Sequence, residues 1–178
     1  MGEQSATATQ EKDVVDPPLR QLSKLLWEER QVLADLLFKL EEAHLLLAAR
    51  RQTWLPRATA EIQDVLDELD RVEDRRQGMV AAAGTELGLG ETPTLSELVA
   101  SCVEPWKSTL GEHRRALLGA VERIVDATTR NRSALMVHLA AVGDALAMLG
   151  VERHHSYGDE NRSVAVAAAN ARVLDTRA

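Results

Sequence analysis

The chain has 178 residues, enough for one domain or one long helical hairpin with flexible ends, with little room for two separate cores. Apolar residues make up 45% of it, mostly Leu, Ala and Val, while Phe and Tyr occur once each; this mixture suits packed helices and argues against a sheet. A formal charge of -7 without a basic stripe sets nucleic acid aside as a partner, and a lone cysteine, Cys102, has no intramolecular partner.

Residues 1–15 are polar and read as a disordered arm, and they lack the basic and apolar regions of a secretory leader, so a cytoplasmic protein is expected. Asp16 followed by Pro17 is a helix start, because Asp can cap free amides and proline in the first turn loses no hydrogen bond. Apolar residues then fall at steps of three and four, at Leu19, Leu22, Leu26, Leu33, Leu36, Leu40, Ala43 and Leu47, with Glu29 the exception. A second seam runs through Leu55, Ala58, Ile62, Val65, Leu69, Val72, Met79 and Ala83, with Arg76 as its exception. Between the seams, Thr53 is a candidate cap and Pro56 fits a first helical turn, which predicts a reversal and an antiparallel hairpin; one long helix kinked at Pro56 is the alternative.

Gly84, Gly88, Gly90 and Pro93 mark a loop, after which Thr94 and Glu97 have capping-box spacing and predict a short helix over 95–103. Pro105 restarts or kinks the chain, and a third long helix carries Leu110, Leu117, Val121, Ile124, Leu135, Val142, Ala145 and Leu149, with Arg114, Thr128, Asn131 and His138 at the remaining seam positions. Those polar residues either set helix register or mark an end that faces no helix of its own chain and offers Leu135, Met136, Leu139, Val142 and Leu146 to a partner. Gly150 is a natural helix end. Residues 151–178 begin polar and continue Ala- and Val-rich, short for a helix alone and suited to ordering on a partner. No apolar run reaches the ~18 residues of a membrane span.

Chemistry finds little support. The Glu41/His44 and Glu152/His155 pairs have di-iron spacing, but the first flanks its seam and the second follows Gly150, so no metal or cofactor is expected. Cys102 has no evident His and acid arrangement, and no phosphate-cradling loop follows the glycines, so an enzyme is not expected. The acids from Glu61 to Asp74 read as a solvated helix face, and Asp35/Lys39, Asp67/Arg71 and Asp126/Arg130 as helical pairs four apart.

The order of these features resembles the FlgN family of flagellar export chaperones over roughly residues 19–160. The residues that carry it are Leu25-Leu26-Trp27-Glu28-Glu29, Glu73-Asp74-Arg75-Arg76, the glycine loop with Thr94-Leu95-Ser96-Glu97-Leu98, Leu135-Met136, Leu146-Ala147-Met148-Leu149-Gly150 and Tyr157-Gly158. The family's Asn-x-x-Asn pair is replaced by Thr129 and Arg132. The resemblance implies a chaperone that holds the C-terminal helices of hook-associated junction proteins and delivers them to the membrane-bound export gate.

The expectation is therefore an all-α antiparallel bundle of three long helices with coiled-coil-like packing over 16–150. The client surface is expected at Leu135, Met136, Leu139, Val142, Leu146, Tyr157, Val164 and Val166. A self-associating coiled-coil scaffold or adaptor is the rival reading. If the seams are core, Leu36→Ala or Leu69→Ala costs on the order of 2 to 4 kcal/mol in urea unfolding, and a loss below about 1 kcal/mol places them outside it.

Overall fold

The structure is a computed structural model that describes residues 3–90 and 92–149, with side chains from residue 17 onward. Four α-helices, α1 (Glu3–Ala48), α2 (Leu55–Glu86), α3 (Leu95–Ser101) and α4 (Trp106–Met148), account for nearly all of it, with no strand among the described residues. The helical backbone of α1 reaches back to Glu3, so the Asp16-Pro17 step lies inside the helix instead of opening it. Glu, Gln, Ala and Lys upstream are good helix formers, and they carry the helix past Pro17 and Pro18 in spite of the lost amides and the crowding of each ring against the carbonyl four residues back.

The chain reverses before Pro56, as the hairpin reading predicts. The Arg50 amide bonds the Leu47 carbonyl at 3.0 Å and the Arg51 amide the Leu46 carbonyl at 2.9 Å, with Arg50 in the left-handed region at φ 55. That pattern closes the last turn of α1 and turns the chain away. A 3-10 turn over Gln52–Trp54 follows, and Pro56 sits in the first turn of α2. Thr53 is not the cap: Trp54 holds that position without a side-chain hydrogen bond, because the preceding turn already directs the chain.

The second connection uses glycine twice. Gly88, at φ 71, lets the Leu89 amide reach the Gly84 carbonyl at 2.8 Å. A Cβ on Gly84 would lie 2.4 Å from Pro93 Cγ, so only glycine fits where the loop folds back on α2. The predicted capping box is present: the Glu97 amide donates to Thr94 Oγ1 at 3.1 Å, and the Thr94 amide to Glu97 Oε2 at 2.7 Å, which holds that carboxyl below its usual range. It opens α3, which stops at Ser101, short of the expected Val103.

α1 is the shared helix. Its predicted seam from Leu19 to Leu47 is buried throughout, Glu29 included, against α2 on one side and α4 on the other. Antiparallel pairing with α2 is set by contacts such as Lys39 to Glu61 and Arg75 to Glu28. α4 runs parallel to α1, since Ser23 meets His113 and Leu47 meets His138. The main core gathers Leu19, Leu22, Leu26, Val80, Ala83, Leu98 and Leu110 where α3 closes the end. A second cluster of Leu36, Leu40, Leu66 and Ala127 lies further along.

On α4 the buried face differs from the sequence reading at alternate steps: His113, Ala120 and Ala127 are buried, whereas Val121 and Thr128 are only half covered. Both sets follow a three-four rhythm, and the smaller residues win because they let α4 lie close against α1.

The two exceptions to the seams answer each other. Arg76 Nε lies 3.1 Å from Glu29 Oε2, both side chains 5% exposed, and Arg76 also reaches Glu73 at 3.6 Å. The contact is one of charge more than of aligned hydrogen bonding, since neither of the two atoms that meet has a hydrogen-bond partner. Burial pushes the Glu29 carboxyl above its usual range; the Arg76 guanidinium opposes this and the Glu73 charge adds to it.

The expected four-apart pairs do not form. Lys39 instead bonds Glu42 and Glu61, Arg71 pairs with Glu68, and Arg130 crosses to Glu41. Long basic side chains reach a neighbouring helix as readily as the next turn, so Glu61 and Glu73 leave the solvated acidic face for ion pairs.

Two outcomes follow from this packing. Arg76→Met alone leaves a buried carboxylate without its cation and costs about 3 to 5 kcal/mol, while the double change Glu29→Leu/Arg76→Met costs less than that single change; urea unfolding of the three proteins measures both. The second concerns His113, buried with Ser23 Oγ 3.1 Å from Nε2. Burial, then the Arg30 guanidinium, lowers its pKa from the usual 6.5, with Glu112 acting the other way. The unfolded chain takes up this proton first, so the histidine's contribution is complete above pH 6.5 and is lost as pH falls below it. The stability difference between pH of about 7.5 and about 5.5 should therefore shrink in His113→Gln, and an unchanged difference counts against a buried neutral imidazole.

Candidate functional site

The upper half of α4 departs from the rest of the bundle. At Asn131 it still packs: the side chain is buried, its Nδ2 donates to the Leu40 carbonyl at 2.7 Å, and its Oδ1 faces His44 Nδ1 at 3.2 Å. Beside it Arg130 pairs with Glu41, so Glu41 and His44 both serve the α1–α4 contact. Two turns on, His138 Nε2 donates to the Leu47 carbonyl at 2.9 Å, a second hydrogen bond to the acceptor at the end of α1 that also takes the Arg50 amide.

Beyond His138 there is no more α1 to meet, yet α4 continues to Met148, about 15 Å further at 1.5 Å per residue. The helix survives there because extending a formed helix avoids the cost of nucleation, and Ala140, Ala141, Ala145 and Ala147 favour it. The three-four rhythm survives too. Leu135, Leu139, Val142, Leu146 and Leu149 line one side, flanked by Met136, and all are exposed, Leu139 at 66% and Leu149 at 77%. From Ser133 to Leu149 the only acid is Asp144 and there is no Lys or Arg. A contiguous apolar surface of this kind on a helix end is characteristic of a surface that meets another protein.

The structure thus divides the two readings of the polar seam. Asn131 and His138 set the register between α1 and α4, while the apolar residues beside and beyond His138 are left exposed by the helices of the described residues. It brings Leu135, Met136, Leu139, Val142 and Leu146 together on one exposed helix end. Tyr157, Val164 and Val166, with the Glu152/His155 pair and Gly150, lie outside the described residues.

No group of His, Cys, Asp or Glu among the described residues is arranged to hold a metal ion. Cys102 is buried, and burial pushes its thiol up, away from the thiolate that nucleophilic chemistry needs. No described helix is long and apolar enough to cross a membrane.

Sequence reasoning missed a second surface. A groove of about 360 Å³ runs between α1 and α4, lined by Arg30, Gln31, Ala34, Arg115, Ala116, Gly119, Ala120 and Arg123. Its basic side chains come from two helices far apart in the chain, so no basic run announces it. The eight-residue interval between Arg115 and Arg123 was the available sign.

The profile of the FlgN protein family matches residues 19–163, most of the chain. No curated protein and no solved structure matches it. With the expected helix order and the family match over the same span, the chain belongs to the FlgN family of flagellar export chaperones.

Proposed function

We propose that this chaperone binds the C-terminal helices of hook-filament junction proteins in the cytoplasm and delivers them to the export gate, acting by binding and not by catalysis. The observation that carries the reading is the free end of α4, a helix whose apolar stripe outruns the helix it packs on. An amphipathic client helix laid on Leu135, Leu139, Val142 and Leu146 would continue the α1–α4 contact with the same three-four spacing. Residues 151–178, including Tyr157, Val164 and Val166, would add contacts as they order on the client, and the entropy of that ordering keeps the affinity low enough for release.

The rival, a self-associating scaffold, requires the heptad seams to close on an identical chain. Here the seams of α1 and α2 close on each other and on α4 within one chain, which favours the chaperone.

Leu139→Asp tests the site. Its side chain is exposed, so helicity and melting temperature should hold, while binding of a purified junction protein is lost because the carboxylate would be desolvated against an apolar helix. Deleting residues 151–178 should weaken binding without abolishing it. Client binding unaltered by both changes moves the site elsewhere, and a stable homodimer by light scattering with no client affinity favours the scaffold.

A further inference from the structure

The arginines of the α1–α4 groove have no role in the bundle that accounts for their gathering. Arg115 and Arg123 are exposed, and neither is within ion-pair distance of a carboxylate among the described residues. Glu112, Glu122 and Asp126 sit nearby on α4, but none of them lines the groove. Arg30 is held by stacking on Trp27, 5.0 Å from the ring centre, with Nη1 3.5 Å from His113 Nδ1. Arg123 is steadied by its Nε donating to the Gly119 carbonyl at 3.2 Å. Three like charges around one channel, on a chain of net charge -7, repel each other unless something anionic lies among them.

The channel is open. Its floor is Ala34, Ala116, Gly119 and Ala120, and nothing lies within 4 Å of where a Cβ of Gly119 would stand. Small floor residues let a backbone approach closely. Along the α1 rim, Trp27 and Phe38 are 54% and 64% exposed.

We propose that this groove is a second docking site, distinct from the free end of α4, for a helix of another protein carrying acidic side chains at i, i+3 or i+4, and i+7. The spacing follows from the geometry. Arg115 and Arg123 are eight residues, about 12 Å, apart along α4, close to two turns of a helix laid parallel to it. Arg30 stands across from the interval between them, since contacts between α1 and α4 join residues about 90 apart in sequence. Carboxylates one and two turns apart therefore meet the three guanidiniums, and an apolar flank of the same helix meets Trp27 and Phe38. A second copy of this chain offers Asp67, Asp70 and Asp74 at the required spacing, but Arg71 and Arg75 are interleaved with them and would face the groove's own arginines. A nucleic acid would meet the net negative charge of the whole molecule.

The test uses the full chain and a fluorescent, Ala- and Gln-based helical peptide with Glu at i, i+4 and i+7 beside two Leu, read by anisotropy. Binding at low salt should weaken about tenfold or more in Arg115→Glu/Arg123→Glu, and as steeply in wild type when salt rises to about 0.5 M. A peptide with Gln for Glu should bind as weakly as the variant does. Leu139→Asp should bind the acidic peptide like wild type, which separates this site from the client surface. Should the charge reversal impair folding, Arg115→Gln/Arg123→Gln reads the same loss with less perturbation. Equal binding by wild type and variant, or none by either, overturns the proposal. So does tighter binding of a thymidine oligonucleotide, or a concentration-dependent dimer that the arginine changes abolish.

Discussion

Glu29 and Arg76 are the two places where a heptad seam meets a charge, and they are buried against each other between α1 and α2. An apolar seam alone tolerates sliding by a heptad, because one Leu replaces another at little cost. A buried charge does not slide, since leaving either partner unpaired in a dry interface costs several kcal/mol. The pair therefore selects the alignment in which Arg75 also meets Glu28 and Lys39 meets Glu61. It is an alignment device more than a source of stability: burial holds the Glu29 carboxyl above its usual range in spite of the guanidinium beside it.

Once that register is set, the remaining geometry follows from lengths. α2 returns to the level of Leu19, and α3 turns the chain there so that α4 starts beside the beginning of the α1 seam. α4 then runs parallel to α1, held by His113 against Ser23, Asn131 against Leu40 and His138 against Leu47. Because α1 stops at Ala48, α4 loses its neighbour beyond His138 and carries its apolar stripe into the open. The free surface is the consequence of a mismatch between two helix lengths, not of any change in the residue pattern of α4. The same close α1–α4 packing, made possible by Ala120 and Ala127, leaves a shallow channel on its outer side, and there the arginines gather.

Local rules made much of this legible in the residues alone. The α1 seam, the Thr94/Glu97 capping box and the glycine loop depend on neighbours within one or two turns, and each is found where periodicity and capping chemistry place it. The apolar stripe from Leu135 to Leu149 was visible for the same reason. Other features were beyond reach because they depend on a partner distant in the chain. Asp126 and Arg130 have ideal spacing for a helical pair, yet Arg130 reaches Glu41 on another helix.

The all-helical class, the three-four seams and the family were legible in the residues alone, since these rest on composition, on spacing within single helices and on the order of motifs. Tertiary structure decided which neighbour on α4 faces α1, that Glu29 and Arg76 are partners, and that Pro56 follows a reversal instead of marking a kink. It also decided where α4 becomes free and that Arg30, Arg115 and Arg123 share one groove. The physical reason is common to all of these. A periodic pattern defines the direction of a helix face, but what that face meets depends on the lengths and alignment of helices that touch only in the folded chain.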